Sequence, residues 1–251
     1  MPTVTELAQY QDERGNEIVF SGHITKGIKI KFTGSGNRLV VADKINLGSF
    51  VVDFDCDNGT VEIGPTNRFF AAAIRVGQDA CVRIGKTVSS TTSVYISAVE
   101  GTTVQVGDDV MFASQNQIRG DDGHPIFDSR TGERINPAKS VTIGNHVWLG
   151  GEVVVLGGAV IGDGTVVGLR SLVTGTLPNN CIAVGIPARV IRRDIGWDRS
   201  HLSMTAPFYK PHRSTIGDTK WDNLTVEPLV PPPVSPLRML VRRVRRRLSR
   251  R

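Results

Sequence analysis

Residues 143–178 read IGNHVW LGGEVV VLGGAV IGDGTV VGLRSL VTGTLP, six consecutive blocks of six that keep one rule without a slip. Each block opens on an aliphatic residue: Ile143, Leu149, Val155, Ile161, Val167 and Val173. The second position holds Gly144, Gly150, Leu156, Gly162, Gly168 and Thr174. The fifth holds Val147, Val153, Ala159, Thr165, Ser171 and Leu177, mostly small. A helix repeats its faces every ~3.6 residues and a strand every second residue, so neither explains a period of six. A hexapeptide β-helix does, because each block makes one short strand and one corner of a triangular coil. The aliphatic residue then fills the interior. The glycine is expected to supply corner backbone angles that side chains resist.

Upstream the rule loosens but persists, in units at Val61–Gly64, Ile74–Gly77, Val82–Gly85, Val104–Gly107 and Val141–Gly144. This predicts a β-helix domain over residues 24–191, preceded by an N-terminal segment, 1–23. At one coil per ~18 residues and ~4.8 Å per coil, it amounts to about nine coils and a prism on the order of 40 Å long. Coils bury their interior only by stacking on neighbours, so the repeats stand or fall together. The register breaks over residues 114–140, which predicts a long loop thrown out of the solenoid, where function concentrates. Residues 192–236 read as a C-terminal extension that packs against the prism or a neighbour and ends in a Pro-rich linker.

The formal charge of +6 is local. Residues 237–251 carry eight Arg and no acid, leaving 22 basic and 24 acidic residues elsewhere. Written as a helix, this tail places Leu237, Leu240, Val241, Val244 and Leu248 on one face. That predicts a basic amphipathic helix on an anionic membrane surface, with a solvated tail or, less expected, a nucleic-acid contact as rivals. No apolar run reaches the ~18 residues of a membrane span, and the N-terminus lacks a secretory pattern. Cys56, Cys81 and Cys181 are isolated, which predicts buried free thiols and a cytoplasmic location, peripheral to the inner face of the membrane if the tail binds there.

His124 lies in DDGHPIFD within the loop and is the candidate general base, since deprotonating a hydroxyl needs a group with a pKa near 7. Asp121, Asp122 and Asp128 are near enough in sequence to orient its ring. Trp148, between inward positions, should face outward as a binding platform. His146 also reads as an outward corner residue, not a catalyst. No cysteine sits beside a base, so none reads as a nucleophile.

The stretch DGHPIFD…TGERINPAKSVTIGNHVWLGGEVVVLGGAVIG…VTGTLPNNCIAVGIPARVIRR resembles the hexapeptide-repeat O-acetyltransferases, especially the capsular and polysialic acid O-acetyltransferases. The match is good over about residues 90–195. The resemblance implies an all-β, left-handed parallel β-helix with an extended loop, to which the tail adds a C-terminal helix; general crossover rules alone favour the right hand. It also implies acetyl-CoA as donor co-substrate with no metal, a carbohydrate hydroxyl as acceptor (a polysaccharide or lipid-linked glycan), and a homotrimer with active sites between subunits. His124 matches the loop base and Trp148 the tryptophan bordering the acyl-donor channel. Gly150 and Gly151 match backbone lying against the pantetheine, with nearby amides stabilising the oxyanion. The turn Gly185, Ile186, Pro187, Ala188 and Arg189 matches the one at the coenzyme A nucleotide.

Two departures stand out. Where family members have a Lys this chain has Gly175, and Arg170 replaces a Gly; Arg170 is read as a replacement cation for the donor, with a contact to an acidic acceptor or a solvated corner residue as the other readings. The acceptor-binding Asn of the small-sugar enzymes falls at Thr92–Ser93, which argues against a galactoside- or maltose-like acceptor. The alternatives are a sugar-nucleotide N-acetyltransferase and a non-enzymatic β-helix binding or assembly module. A γ-class carbonic anhydrase is excluded, since His124 and His146 are 22 residues apart and the other histidines lie outside the repeats.

Overall fold

An aliphatic side chain at every sixth residue can be buried each time only if the chain turns equally after each block. In the computed structural model, which describes residues 2–227, it does so. Ile143 pairs in parallel with Ile161, Leu149 with Val167 and Val155 with Val173, three blocks on in each case. All six block-opening residues are at most 1% exposed. The three ladders are the three faces of a prism. Face one runs from Tyr10–Gln11 to Thr176–Leu177, face two from Thr3–Val4 to Leu172–Val173, and face three from Ser89–Ser90 to Ala188–Arg192.

The upstream coils are larger than the sequence period suggests. Arg38 pairs with Thr60, Thr60 with Cys81 and Cys81 with Thr103, steps of 22, 21 and 22 residues. Face three has no separate strand before Ser89–Ser90, and ahead of it the long strands Ile45–Phe54 and Thr66–Val76 of face two begin on that side. The wider interior is filled by Phe32, Phe50, Phe54 and Phe70, all 0% exposed. With more residues per turn the solenoid has about seven turns, not nine. It also starts earlier: Glu17–Val19, ahead of residue 24, is already a parallel rung beside Arg38–Val41.

The glycines serve a different purpose from the one expected. Left-handed backbone falls at the fourth position of the hexads, at His146 (φ 50°), Glu152 (58°), Gly158 (89°), Gly164 (67°) and Arg170 (56°). The second-position glycines are needed because neighbouring coils touch. A Cβ on Gly107 would sit 2.6 Å from the Gly144 carbonyl, closer than any side-chain carbon can rest on backbone. Gly107→Ala is therefore expected to lower unfolding stability by about 1–3 kcal/mol through overpacking, read from the urea midpoint. An unchanged midpoint would remove the close-packing explanation.

Both ends are closed, which blunts sheet edges that would otherwise recruit other strands. Thr3–Val4 pairs antiparallel with Ile28–Phe32, and Tyr10–Gln11 with Glu17–Val19, over a fully buried Leu7. At the other end Ile182–Gly185 folds back on Ala188–Arg192. The expected Pro-rich linker at 231–236 and helical tail at 237–251 lie outside the described residues.

Candidate active site

The loop is shorter than residues 114–140. Gln117–Arg119 is a rung of face two, paired with Tyr95–Ser97. The chain leaves the prism after Gly120 and returns at Lys139, whose N–H donates to the Gly120 carbonyl at 2.9 Å. Between them the loop forms a finger, with Ile135 N–H on the Ile126 carbonyl and Asp128 N–H on the Glu133 carbonyl. The Asp128 carboxylate accepts from Arg130 and Thr131 N–H, which hold its pKa below the usual range and set the fingertip turn. Asp122 accepts from Asn136 Nδ2 at 2.9 Å, and that amide also donates to the His124 carbonyl. Asn136, which the sequence did not single out, is thus the tie across the base of the finger. Asp121 anchors the root to Arg75, Ser97 and Gly123 N–H. Arg134 pairs with Glu100 on the prism.

These contacts fix the backbone around His124 and leave its ring exposed, with no hydrogen-bond partner among the described residues. Neither Asp122 nor Asp128 is bonded to the ring. His124 lines a depression of about 240 Å³ with Arg75, Asp121, Arg134 and Cys56. Cys56, expected to be buried, is exposed, whereas Cys181 is buried and Cys81 half-buried; burial pushes both of their thiols up.

The donor-side residues occupy another edge. Trp148 points out of face three, 38% exposed, between Met111 and Val166 on the neighbouring coils. Gly150 and Gly151 turn the corner onto face two, and a Cβ on Gly150 would meet Leu169 N at 2.8 Å. The turn at residues 185–188 closes the hairpin two rungs below Trp148, ~10 Å away along the axis, and contains a cis Ile186–Pro187 bond. Ala188 is buried, while the exposed Arg189 donates from Nη1 to the Ala188 carbonyl. Arg170 follows on the same corner, its N–H on the Gly151 carbonyl, and its guanidinium is paired with Glu152 at 3.0 and 3.1 Å.

His124 does not join this set within one chain. Its loop leaves from the corner where face two meets face one, since a Cβ on Gly157 would touch the Gly120 carbonyl at 2.8 Å. From Gly151 to Gly157 the chain crosses face two in six residues, ~20 Å at ~3.3 Å per residue.

His146 is a corner residue but does not face solvent. It is 3% exposed beneath the C-terminal extension, stacked on Trp197 with ring centroids 4.0 Å apart. Its Nδ1 lies 2.6 Å from Asp109 Oδ2, and Trp197 Nε1 donates to its carbonyl. Arg199 donates to Asp109 and Ser89, so the extension climbs back along three coils. Trp197 also reaches Trp148, centroids 5.9 Å apart. The extension thus packs on the prism as a strap, at one of the two expected places, but the local sequence does not announce which residues it meets, because its partners lie 51 to 112 residues away. Burial raises the Asp109 pKa, but the His146 hydrogen bond and the Arg199 guanidinium outweigh it and hold the carboxyl below its ordinary 3.8. A folded-state pKa below the unfolded one means this contribution is complete above about pH 4 and fades as pH falls through the depressed value. Trp197→Ala is expected to cost the strap about 3–5 kcal/mol, seen as tryptic cleavage within residues 199–220 under conditions that spare the wild type. Equal resistance would mean that Trp197 does not hold it.

Fold and site together define a parallel β-helix that carries a looped-out histidine at one corner and a paired glycine at another. Residues 140–175 match the bacterial transferase hexapeptide (six repeats) family. The polysialic acid O-acetyltransferase of Escherichia coli O1:K1 / APEC is 38% identical over 97 residues, 39% of this chain and 32% of that protein. The putative lipopolysaccharide biosynthesis O-acetyl transferase WbbJ of Escherichia coli K12 is 31% identical over 159 residues, 57% of this chain and 78% of that one. The crystal structure of the polySia-specific acetyltransferase NeuO superposes with a TM-score of 0.65 at 30% identity, covering 75% of this chain and 91% of that one. The chain belongs to the hexapeptide-repeat O-acetyltransferase family, and its fold is the left-handed parallel β-helix. It spans 32% and 47% of the length of the first two curated relatives it matches.

Proposed function

We propose that this chain transfers an acetyl group from acetyl-CoA to a hydroxyl of a glycan, a polysaccharide or a lipid-linked saccharide. The observation that carries this is His124, presented on a braced loop with its ring unengaged, in a member of an O-acetyltransferase family. Acetyl-CoA supplies an activated thioester. His124 takes the proton of the acceptor hydroxyl as that oxygen bonds to the acetyl carbon. It returns the proton to sulfur as the carbon–sulfur bond breaks.

The residues on the other edge fit the donor. Gly150 and Gly151 hold the corner beside Trp148 in close contact with the next coil, Trp148 offers an exposed ring, and Arg189 a cation for phosphate. Arg170, already paired with Glu152, is a weaker candidate than the sequence suggested. The N–H groups of Trp148 and Gly150 are used in the ladder, which leaves Gly151 N–H as the oxyanion donor at this corner.

Since the two edges are ~20 Å apart across face two, the complete site is formed by two copies in a trimer. The finger carries exposed Ile126, Phe127 and Ile135 at 50%, 57% and 61%, apolar surface that suits contact with a second copy. Acetyl-CoA incubated with candidate glycans should release thiol and add one acetyl mass to the glycan. Absence of both coenzyme A binding and thiol release across glycan classes would sink the proposal. Direct transfer also predicts that Cys56→Ser keeps activity, although Cys56 shares the His124 depression.

Among the described residues no helix is long and apolar enough to cross a membrane. A cytoplasmic location, with residues 237–251 resting on an anionic membrane, is part of the same proposal. Binding to anionic vesicles, lost on truncation after Pro236, tests it.

A further inference from the structure

Asn116 sits at a corner of the prism where an apolar side chain would pack. It is 1% exposed, and its counterpart one coil on is Val153, 0% exposed, since Gln117 pairs with Val154 across the ladder. The Asn116 amide donates from Nδ2 to the Gly150 carbonyl at 2.7 Å. Its Oδ1, equally out of solvent, accepts no hydrogen bond among the described residues. A buried amide with an idle oxygen gives up solvation that a valine never had, so packing alone does not account for it. What the amide does hold is one carbonyl.

That carbonyl belongs to the peptide between Gly150 and Gly151, at the donor corner. In a trans peptide the C=O and the N–H that follows it point in opposite directions. The Gly150 carbonyl faces the buried Asn116 amide, so the Gly151 N–H faces away from it. Trp148, Gly150 and Glu152 spend their N–H groups on the Thr165, Val167 and Ser114 carbonyls, whereas the Gly151 N–H has no hydrogen bond among the described residues. A Cβ on Gly150 would meet Leu169 N at 2.8 Å, so close contact between coils requires glycine there. With glycine on both sides, however, no Cβ restricts the plane of this peptide. Something else must fix it, and Asn116 Nδ2 is the donor on its oxygen. An N–H that stabilises developing negative charge is effective only when it is aimed beforehand, because turning it during the reaction would cost what it supplies.

We propose that Asn116 is a positioning residue for acetyl transfer: it holds the Gly150–Gly151 peptide so that the Gly151 N–H is aimed at the acetyl oxygen as that oxygen becomes negative. This rests on the acetyl-transfer reading and adds to it what fixes the oxyanion donor. Asn116→Val installs the side chain found one coil on, and Asn116→Leu one closer in shape to the amide; both delete the donor to Gly150. In the full-length protein each should melt at the wild-type midpoint and bind coenzyme A as the wild type does. Each should lower kcat by about ten- to a hundredfold, less than the hundred- to thousandfold that follows outright loss of an oxyanion donor. KM for acetyl-CoA should not change, so kcat and kcat/KM fall together, as they do when an interaction is made only in the transition state. The two side chains differ in volume, so a packing role would separate the variants and loss of the donor would not. Turnover within about threefold of wild type in both, set against that expected loss, overturns the proposal. So does a fall in kcat that comes only with a lowered midpoint or weakened coenzyme A binding, which would make Asn116 a structural residue. If the wild type itself released no thiol with any glycan class, the acetyl-transfer reading would fall and the role of Asn116 with it; an active wild type with indifferent variants overturns the role alone.

Discussion

His124→Ala is expected to lower kcat by about two to four orders of magnitude, the range a positioned general base contributes, with melting unchanged. The second half follows from the loop's construction. The ring makes no hydrogen bond among the described residues, while the backbone around it is held by Asn136, Asp121 and the Arg134–Glu100 pair. Truncating the ring removes a reacting group and leaves each of those contacts in place. Acetyl transfer measured by thiol release, with circular dichroism on the same sample, separates chemistry from folding. Activity within about threefold of wild type, where general-base removal is worth at least a hundredfold, would take His124 out of the mechanism.

How much of this was legible in the sequence depended on how local the cause was. The hexads gave the coil because interior packing repeats along the chain, and Ile143 to Val173 are buried as the period requires. The same period misjudged the upstream coils, where phenylalanines widen the interior and a turn takes 21 or 22 residues. It also misjudged the glycines, because the close approach of Gly107 to Gly144 is between coils and invisible along one. The burial of His146 depends on Trp197 and Asp109, 51 and 37 residues away. At the site, residue identities were carried by the family resemblance. Their distribution over two corners was not, since spacing along a solenoid does not announce which edge a residue reaches until the turns are counted. Asn136 and Asn116 were passed over for the same reason: each matters through what it faces across the fold.

That distribution makes the strongest prediction about assembly. His124 leaves from the corner of faces one and two, and Trp148 to Gly151 from the corner of faces three and two. A chain that completed its own site would have to close ~20 Å across a packed sheet face, which stacked coils do not permit. In a closed three-fold ring each site instead takes its base from one copy and its donor wall from the next. Two variants test this together: His124→Ala, lacking the base, and Trp148→Glu, which sets a carboxylate in the path of an anionic donor at an outward position the fold can tolerate. Each alone should be nearly inactive at low acetyl-CoA. Co-expressed with different tags and purified through both, they form only mixed trimers. Any such ring has one place where a subunit with an intact His124 meets a neighbour with an intact Trp148, so about a third of wild-type activity should return. If base and donor wall belonged to the same chain, every chain in the mixture would carry a damaged site. Activity would then stay at the level of the weaker-damaged parent, and the shared-site trimer would have to be abandoned.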